Sequence, residues 1–429
     1  MVSIDERYYQ LHPKSAEISK QAEDIFPDGV THDGRKAQPF RVYMSQGLGP
    51  KKWDIDGNAY IDYRTGHGSM ILGQAHPRVV QAAQEQIAKG THLSASTEIE
   101  VKWGNLVKQL VPCAEKLRFV GTGSEAMMMT FRMARTYSGK TKIVKFDQAF
   151  HGWADGPFVA AADDNPDNGI PPQVRETMVV LPYDLQIVER TLDTDGDIAA
   201  VVFQGNQVKR PEFIAGLRDI TEKKDVILIF DEVVSGFRWS RGGCQGLYGV
   251  TPDLTGLAKI LAGGFPGGGV AGRAEIIDTI AADKIAHPGT FNANPVSAAA
   301  GVTALDIVAN EPINEMADAR AQQLKDGLNA VLRELEIPGC AYGVSSIVHL
   351  RLGVDHECDK VYCEAGEQAM MTMTSDESVD LLKRALINEG IWGGPTSLIL
   401  SATHTEQHID TTLECYESAL QAVRAEGAI

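Results

Sequence analysis

The chain has 429 residues, of which 43% are hydrophobic and 23% charged, and its net charge is −17. This length and composition predict more than one globular domain. The negative charge argues against nucleic acid and against anionic membrane surfaces, both of which attract clustered cations. No run approaches the roughly 18 apolar residues of a membrane-spanning helix, and the first residues do not read as a signal peptide. The sequence therefore predicts a cytoplasmic protein with a small-molecule partner.

Six cysteines are scattered along the chain without a C-x-x-C pair, so we expect reduced thiols. Cys358 and Cys363 lie near His356 in the sequence, but their spacing matches no common metal site. We predict that the protein has no metal centre.

Two patterns of secondary structure succeed each other along the chain. Alternating residues on both sides of Asp56-Gly57-Asn58 predict a β-hairpin. From about 76 to 300, helical periods alternate with short apolar runs, which predicts a mostly parallel sheet with helices on both faces. The predicted helices are 77–90, 98–112 and 124–138, and the predicted strands are Lys116–Val120, Lys142–Phe146, Ala199–Gln204 and Val226–Phe230.

The remainder of the chain predicts a smaller α+β domain. The segment 295–335 is helical in pattern, and 355–375 has no clear period, so we interpret it as a loop or insertion. The predicted elements of the tail are the strands Ser346–Leu352 and Ser397–Ser401 and the helices 377–389 and 406–424. We assign 1–60 and 306–429 to the small domain and 61–305 to the large one.

A glycine-rich turn, Val120 to Ala126, follows a predicted strand and opens a helix. Such a turn exposes backbone N–H groups at the positive end of the helix dipole, which suits a phosphate. Thr122 and Ser124 add hydroxyl donors. A glycine turn with a serine N-cap explains the same residues without a ligand.

Two acids, Asp231 and Glu232, end the apolar strand that begins at Val226. Ligands of open α/β sheets gather at this edge, and a buried carboxylate there needs a cation or a donor. The partner can be a metal or a protonated ring nitrogen. A carboxylate that caps a helix is the alternative.

Lys259 lies in an apolar run that is followed by glycines at 263–269. Burial lowers the pKa of a lysine and makes its amine nucleophilic, as Schiff-base chemistry requires, and glycines let the backbone approach a ligand closely. A lysine that extends from a helix edge to solvent is the alternative.

Aromatic residues follow the predicted strand Lys142–Phe146, in the order Phe150-His151-Gly152-Trp153. Aromatic rings at a strand end can stack on a planar ligand, although core packing is the better explanation when this segment is taken alone. Pyridoxal phosphate requires a phosphate-binding turn, an aromatic side chain against its ring, a carboxylate and a reactive lysine, and one sheet here supplies all four. Together they predict that cofactor.

The sequence resembles the class III aminotransferases of fold type I over essentially its whole length. Within that family it is most similar to the glutamate-1-semialdehyde aminomutase branch, with local resemblance to D-phenylglycine aminotransferase at Pro27–Thr31 and Leu400–Ala402. The resemblance implies an α/β fold whose large domain holds a mostly parallel, seven-stranded sheet beside a smaller α+β domain. It rests on Gly73–Pro77, Gly123–Ala126, Asp231–Arg238, Thr251–Thr255 with Lys259, and Gly289–Pro295.

The family resemblance implies specific roles for residues of the site. Lys259 would hold the cofactor as a Schiff base and move the substrate proton, and Asp231 would pair with the pyridine nitrogen. Val233 and Phe150 would pack on the two ring faces. Thr290 would reach the phosphate of the neighbouring subunit, which implies a homodimer. The implied cofactor-binding set is Thr122, Gly123, Ser124, Phe150, His151, Gln204, Asn206, Asp231, Val233, Lys259 and Thr290.

The chain departs from the family in two segments. Gln204-Gly205 replaces the usual Glu-Pro, and the following segment, Asn206 to Pro211, is shorter than in relatives. The region 155–175 is also shorter than the mobile lid of the aminomutase, which weakens that interpretation.

The sequence leaves three functional hypotheses open. The first is an aminotransferase that moves an amino group from an amino acid, aromatic or of the D or β type, to an oxo acid. The second is an aminomutase or an amino acid or lactam racemase, and the third is a cofactor-binding protein without catalysis. For the substrate pocket we nominate the region Thr31–Arg35 with Trp392, and as individual residues His32, Arg35 and Trp153.

Overall fold

The computed structural model describes residues 2–161, 169–281, 283–353, 361–363 and 376–429. The chain folds into two compact units. The terminal unit comprises Met1–His67, Ile71–His76 and Glu315–Ile429, and the central unit comprises Gly68–Met70 and Pro77–Asn314. The N-terminal and C-terminal parts of the chain therefore share one unit.

The described residues form three sheets, whose strands are ordered β1-β2-β3-β13, β4-β10-β9-β8-β7-β5-β6 and β11-β12-β14. The seven-stranded sheet lies in the central unit and the two smaller sheets lie in the terminal unit. The strands are β1 (Met44–Leu48), β2 (Lys51–Asp54), β3 (Ala59–Asp62), β4 (Lys116–Val120), β5 (Lys142–Phe146), β6 (Met178–Leu181), β7 (Ile198–Gln204), β8 (Ile227–Glu232), β9 (Leu254–Ala258), β10 (Gly268–Gly272), β11 (Gly339–Tyr342), β12 (Ile347–Leu352), β13 (Ile391–Trp392) and β14 (Ser397–Ile399).

The seven-stranded sheet confirms the predicted mostly parallel α/β fold. Strand β10 pairs antiparallel with β4 and β9, whereas the pairs β5–β6, β5–β7, β7–β8 and β8–β9 are parallel. Strand β7 is buried throughout except at Gln204, as expected of a central strand covered on both faces. Parallel strands place their carboxyl ends at one edge, so the residues that follow β5, β7, β8 and β9 meet there.

Helices of the central unit connect these strands. The helix Gly123–Ser138 begins after Thr122, whose hydroxyl accepts from Glu125 N, and it ends at Gly139 with φ +71°, a left-handed conformation that glycine adopts readily. The other helices are Pro77–Ile87, Glu98–Leu110, Asp155–Phe158, Pro172–Arg175, Leu185–Thr194, Pro211–Lys223, Gly243–Tyr248, Ala274–Ile277 and Pro295–Asn310, with a 3₁₀ turn at Lys259–Ala262.

The terminal unit contains the predicted β-hairpin, in which β2 and β3 pair antiparallel around Asp56-Gly57-Asn58. The predicted helical segment 295–335 is two helices, because Pro312 has no N–H group for a continuous helix. Most of 355–375, including His356 and Cys358, lies outside the described residues. The longer helices of this unit are Ile4–Leu11, Pro13–Glu23, Ile313–Glu334, Asp376–Asn388 and Glu406–Ala425, and the short ones are Pro27–Gly29, Asp33–Arg35 and Thr65–Gly68.

None of the helices in the described ranges is both long enough and apolar enough to cross a bilayer.

The glycine run at 263–269 has a packing role that the sequence analysis did not anticipate. Gly268 opens β10, and a Cβ atom there would lie 2.5 Å from the carbonyl oxygen of Thr122. At Gly264, with φ +90°, a Cβ would lie 2.4 Å from the sulfur of Met70. At these two positions the glycines let protein backbone and side chains approach each other, rather than a ligand.

A buried histidine of the terminal unit should make the protein sensitive to acid. Ser401 N donates to His404 Nδ1, and burial lowers the pKa of His404 from 6.5 to about 4. Because the unfolded chain takes up this proton first, stability is present above pH 6.5 and is lost as the pH falls toward 4. Between pH 8 and pH 5, the His404→Gln variant should therefore lose about 2 kcal/mol less unfolding free energy than the wild type loses.

Urea unfolding, followed by circular dichroism at pH 8 and at pH 5, measures this loss of unfolding free energy. The exposed His32 supplies the control His32→Gln, which should lose as much stability as the wild type does. An equal acid loss in His404→Gln and the wild type would contradict the assignment.

Candidate active site

The predicted site residues converge at the carboxyl edge of the central sheet. Gln204 ends β7 directly opposite Asp231 of β8, and Lys259 follows the last residue of β9, the next strand along. Phe150 and His151 follow β5, on the other side of β7. Parallel register therefore gathers residues that lie far apart in the sequence.

Asp231 and His151 form a buried pair. Asp231 is 4% exposed, His151 is fully buried, and His151 Nδ1 lies 2.8 Å from Asp231 Oδ2. Burial lowers the pKa of His151 below 6.5 despite the carboxylate, so the neutral ring donates its Nδ1 proton to Asp231. Val233 N donates to the other oxygen, Asp231 Oδ1, at 3.0 Å. These contacts orient a carboxylate that can accept from one further donor.

The turn before the helix Gly123–Ser138 is closely packed against the aromatic segment. A Cβ atom at Gly152, where φ is +93°, would lie 2.8 Å from Ser124 Oγ. A Cβ atom at Gly123 would lie 2.9 Å from Val233 Cγ1 and 3.3 Å from the Ala258 Cβ. The glycine-rich turn, Val233 and the residue before Lys259 are thus immediate neighbours.

Lys259 has an unusual backbone conformation. It is half-buried, and its φ of +56° is a left-handed value that costs energy for a residue with a side chain. The chain turns at this point from β9 into the short 3₁₀ helix Lys259–Ala262. The strained turn carries the lysine at the sheet edge where the adjacent strand β8 ends, one residue after Asp231.

Gln204 connects the aromatic segment to the divergent segment that begins at Asn206. Its Oε1 accepts from Phe150 N at 3.0 Å, and its Nε2 donates to Asn206 Oδ1 at 3.1 Å. The amide thus fixes the backbone of the aromatic segment, and a carboxylate could make only the acceptor half of these contacts. Phe150 is half-exposed, so one face of its ring remains available to a ligand.

The neighbouring acid, Glu232, has a structural role. Its carboxylate accepts from Ser235 Oγ at 2.8 Å, from Cys244 N at 2.6 Å and from Gln245 N at 3.0 Å. These donors satisfy a carboxylate that is 1% exposed. Sequence alone did not distinguish the two acids, whereas the structure directs only Asp231 toward the site.

Lys145 is a residue near the site that the sequence analysis missed. It is fully buried in β5, burial lowers its pKa to about 8, and its ammonium donates to the carbonyl oxygens of Pro157 and Val159. It therefore holds the segment after Trp153 against the sheet. In the sequence, Lys145 could have been recognised as a charged residue inside the otherwise apolar part of the strand Lys142–Phe146.

The remaining nominated residues are exposed, although Trp153 N donates to Ser124 Oγ at 3.4 Å. Trp153 is 77% exposed, and Thr290 is exposed with its carbonyl 2.9 Å from His92 Nε2. His32 and Arg35 belong to the terminal unit, where both are exposed and Arg35 donates to the Thr31 hydroxyl at 2.9 Å.

The fold is an α/β fold whose central sheet brings a lysine, a buried carboxylate and a glycine-rich helix N-terminus to one edge. Residues 33–347 match the family described as aminotransferase class-III, and the chain belongs to that family. It is 35% identical over 433 residues to a glutamate-1-semialdehyde 2,1-aminomutase of Methanopyrus kandleri, covering 96% of this chain and 98% of that one.

Solved structures agree with this assignment. An omega-transaminase from Sphaerobacter thermophilus has a TM-score of 0.87 and 31% identity, covering 96% of this chain and 98% of its own. A structure described as a transaminase with PLP bound has a TM-score of 0.86 and 26% identity, covering 97% and 99%. The family and its cofactor-bound members identify pyridoxal phosphate as the cofactor.

The residues present fit this cofactor. The Asp231 carboxylate, held by His151 and Val233 N, suits a protonated ring nitrogen, and the helix N-terminus at Gly123 and Ser124 suits a phosphate. Lys259 supplies an amine at the same edge. The ring nitrogen, the phosphate and the carbonyl group of the cofactor therefore each have a chemically matched partner.

Proposed function

We propose that this enzyme is an aminotransferase, which moves the amino group of an amino acid to an oxo acid. The observation that carries the proposal is that Lys259 directly follows β9 while Asp231 lies near the carboxyl end of the neighbouring parallel strand β8, with the glycine-rich turn packed against Ala258. The cofactor, when bound, supplies an electron-withdrawing ring that stabilises the negative charge left on the substrate Cα after its proton departs.

Residues of this chain carry out the proton transfer and hold the cofactor. Lys259 Nζ takes the proton from the substrate Cα and returns it, which requires a neutral amine in a partly buried setting. Asp231 keeps the pyridine nitrogen protonated, and His151 keeps Asp231 in place. Ser124 and the helix N-terminus hold the phosphate, while Val233 and Phe150 confine the ring.

The proposed substrate is an amino acid whose carboxylate binds Arg35, with His32 and Trp153 as further contacts. Arg35 has a cationic guanidinium that can bind a carboxylate through two parallel hydrogen bonds, and its contact with Thr31 leaves other donors available. An aromatic, D- or β-amino acid is the proposed donor class. We also propose a homodimer in which Thr290 of one subunit reaches the phosphate of the other.

A second candidate is an aminomutase of the glutamate-1-semialdehyde type, which the 35% identity to named aminomutases favours. The same lysine, carboxylate and phosphate turn serve both reactions, because both move an amino group and a proton at the cofactor. The short segment 155–175 favours the aminotransferase. An aminomutase must retain its substrate until the amino group has returned.

The test is a single turnover of the purified holoenzyme with L-, D- and β-amino acids and with glutamate-1-semialdehyde, in the absence of any oxo acid. An aminotransferase releases one equivalent of oxo acid from its donor, and the visible absorption of the lysine-bound cofactor disappears. Catalytic isomerisation of glutamate-1-semialdehyde, with no oxo acid released from any amino acid, would refute the proposal in favour of the aminomutase. Racemisation of an amino acid without oxo acid release would refute it in favour of the racemase.

A further inference from the structure

The terminal unit contains a cavity of about 620 Å³, of which the proposed chemistry uses only Arg35. All its described lining residues belong to this unit. The volume lies in the range of pockets that bind small molecules. Among those residues the cations outnumber the single acid, Asp380; they are Arg35, Lys36, Arg41, Lys52, Arg64 and Lys383.

Three of these cations are already neutralised by carboxylates outside the cavity lining. Lys36 lies 2.8 Å from Asp28, Arg41 lies 3.1 Å from Glu23, and Lys52 lies 3.0 Å from Asp62. Their charges stabilise the local fold and add little to the attraction of a ligand. Arg35 donates to the hydroxyl of Thr31, which carries no charge.

Arg64 and Lys383 differ from these residues. Both side chains are half-buried, and within the described part of the chain neither side chain forms a hydrogen bond or an ion pair. Burial lowers the pKa of each group, and Arg64 further lowers that of Lys383 because the two cations face each other's field. The carboxylate of Asp380 raises the pKa of Lys383, and that of Asp62 raises the pKa of Arg64, but neither carboxylate forms a direct ion pair with these two cations. Two partly buried cations without a direct ion pair beside one cavity favour an anion.

Two glycines of the cavity lining lie beside the Arg64 guanidinium. A Cβ atom built at Gly34 would lie 3.5 Å from Arg64 Nη2, and one built at Gly394 would lie 3.8 Å from Arg64 Nη1, both ordinary contact distances. Both glycines line the cavity, as does Arg64 itself. The guanidinium is therefore part of the cavity wall.

The rest of the lining sets the character of the ligand. Apolar side chains contribute most of it, including Val30, Met44, Val379, Ile387 and Trp392. A small inorganic anion would leave this surface in water, whereas an acid with an aryl or branched alkyl body would cover it. We infer that the cavity binds the carboxylate of a small apolar acid, with Arg64 and Lys383 as the anchoring cations.

Isothermal titration calorimetry of the holoenzyme with 3-phenylpropanoate tests this inference without turnover, and hence independently of the proposed transamination. The uncharged 3-phenylpropanamide is the matched ligand. We expect saturable binding of the acid and at least about tenfold weaker binding of the amide. Arg64→Gln and Lys383→Gln should each weaken acid binding about 10- to 100-fold, the value of a charge-assisted hydrogen bond.

Arg384→Gln is the control, because Arg384 is the next residue on the same helix and donates instead to Asp5 at 2.6 Å. It should bind the acid as the wild type does. Arg64→Lys retains the charge and should bind more tightly than Arg64→Gln, which separates a lost anchor from a misfolded cavity. Equal affinity for acid and amide, unchanged affinity in both glutamine variants, or no binding of the acid would overturn the inference.

Discussion

Lys259→Ala should abolish amino-group transfer, with a fall in kcat of at least about 10³-fold, because the variant loses both the amine that holds the cofactor and the base that moves the proton. The backbone should tolerate the change, since the side chain is only half-buried. Stopped-flow turnover and absorption spectra of the loaded protein measure the two losses separately. The visible band of the lysine-bound cofactor should be absent from the variant.

The control for this experiment is Lys223→Ala, which removes an exposed lysine at the end of the helix Pro211–Lys223. It should retain the spectrum and the turnover of the wild type. Added ethylamine should restore part of the turnover of Lys259→Ala, because a free amine can replace the missing base. A variant that kept the visible band and a kcat close to that of the wild type would remove Lys259 from the mechanism.

Asp231→Asn should lower kcat by about 10²- to 10³-fold, the cost of removing one preorganised charge from an active site. Asparagine is nearly isosteric, and its amide oxygen can still accept from His151 Nδ1, but its amide nitrogen then faces Val233 N, so we expect a folded protein with a lowered urea midpoint. The amide cannot keep the ring nitrogen of the cofactor protonated, because it carries no negative charge. Rapid-quench kinetics of substrate deprotonation measure this loss directly.

Glu232→Gln provides the matched comparison, because it changes the next residue on the same strand. The new side chain would place an amide donor among the N–H and O–H groups that now donate to the carboxylate. We expect a lower urea midpoint and near-wild-type turnover of the folded enzyme. If Glu232→Gln slowed deprotonation as much as Asp231→Asn did, the two acids would not have the separate roles that the structure gives them.

Local sequence patterns were sufficient for most of the central fold. Apolar runs located β4 and β5 at their observed bounds, and β7 begins one residue earlier than predicted. Such runs are informative because a strand covered on both faces must be apolar along its length. The long helical pattern at 295–335 was less informative, because the break at Pro312 divides it.

Several site residues were recognisable in sequence because their signals are local. Thr122-Gly123-Ser124 combines an N-cap, a small residue and a hydroxyl within one turn, and Lys259 stands out as a charge in an apolar run. Asp231 and Glu232 carried the same signal. Their different roles depend on which face of β8 each side chain occupies and on what lies opposite, which adjacent residues in a strand never share.

The sequence by itself thus determined the α/β class, the order along the chain of the segments that carry the chemistry, and the residue types that pyridoxal phosphate needs. Only the tertiary structure decided that His151 pairs with Asp231, that Gln204 fixes the backbone of Phe150, and that Arg64 and Lys383 share a cavity. These contacts join residues between 54 and 319 positions apart. Strand register and chain packing create them, and neither leaves a periodic or local mark in the sequence.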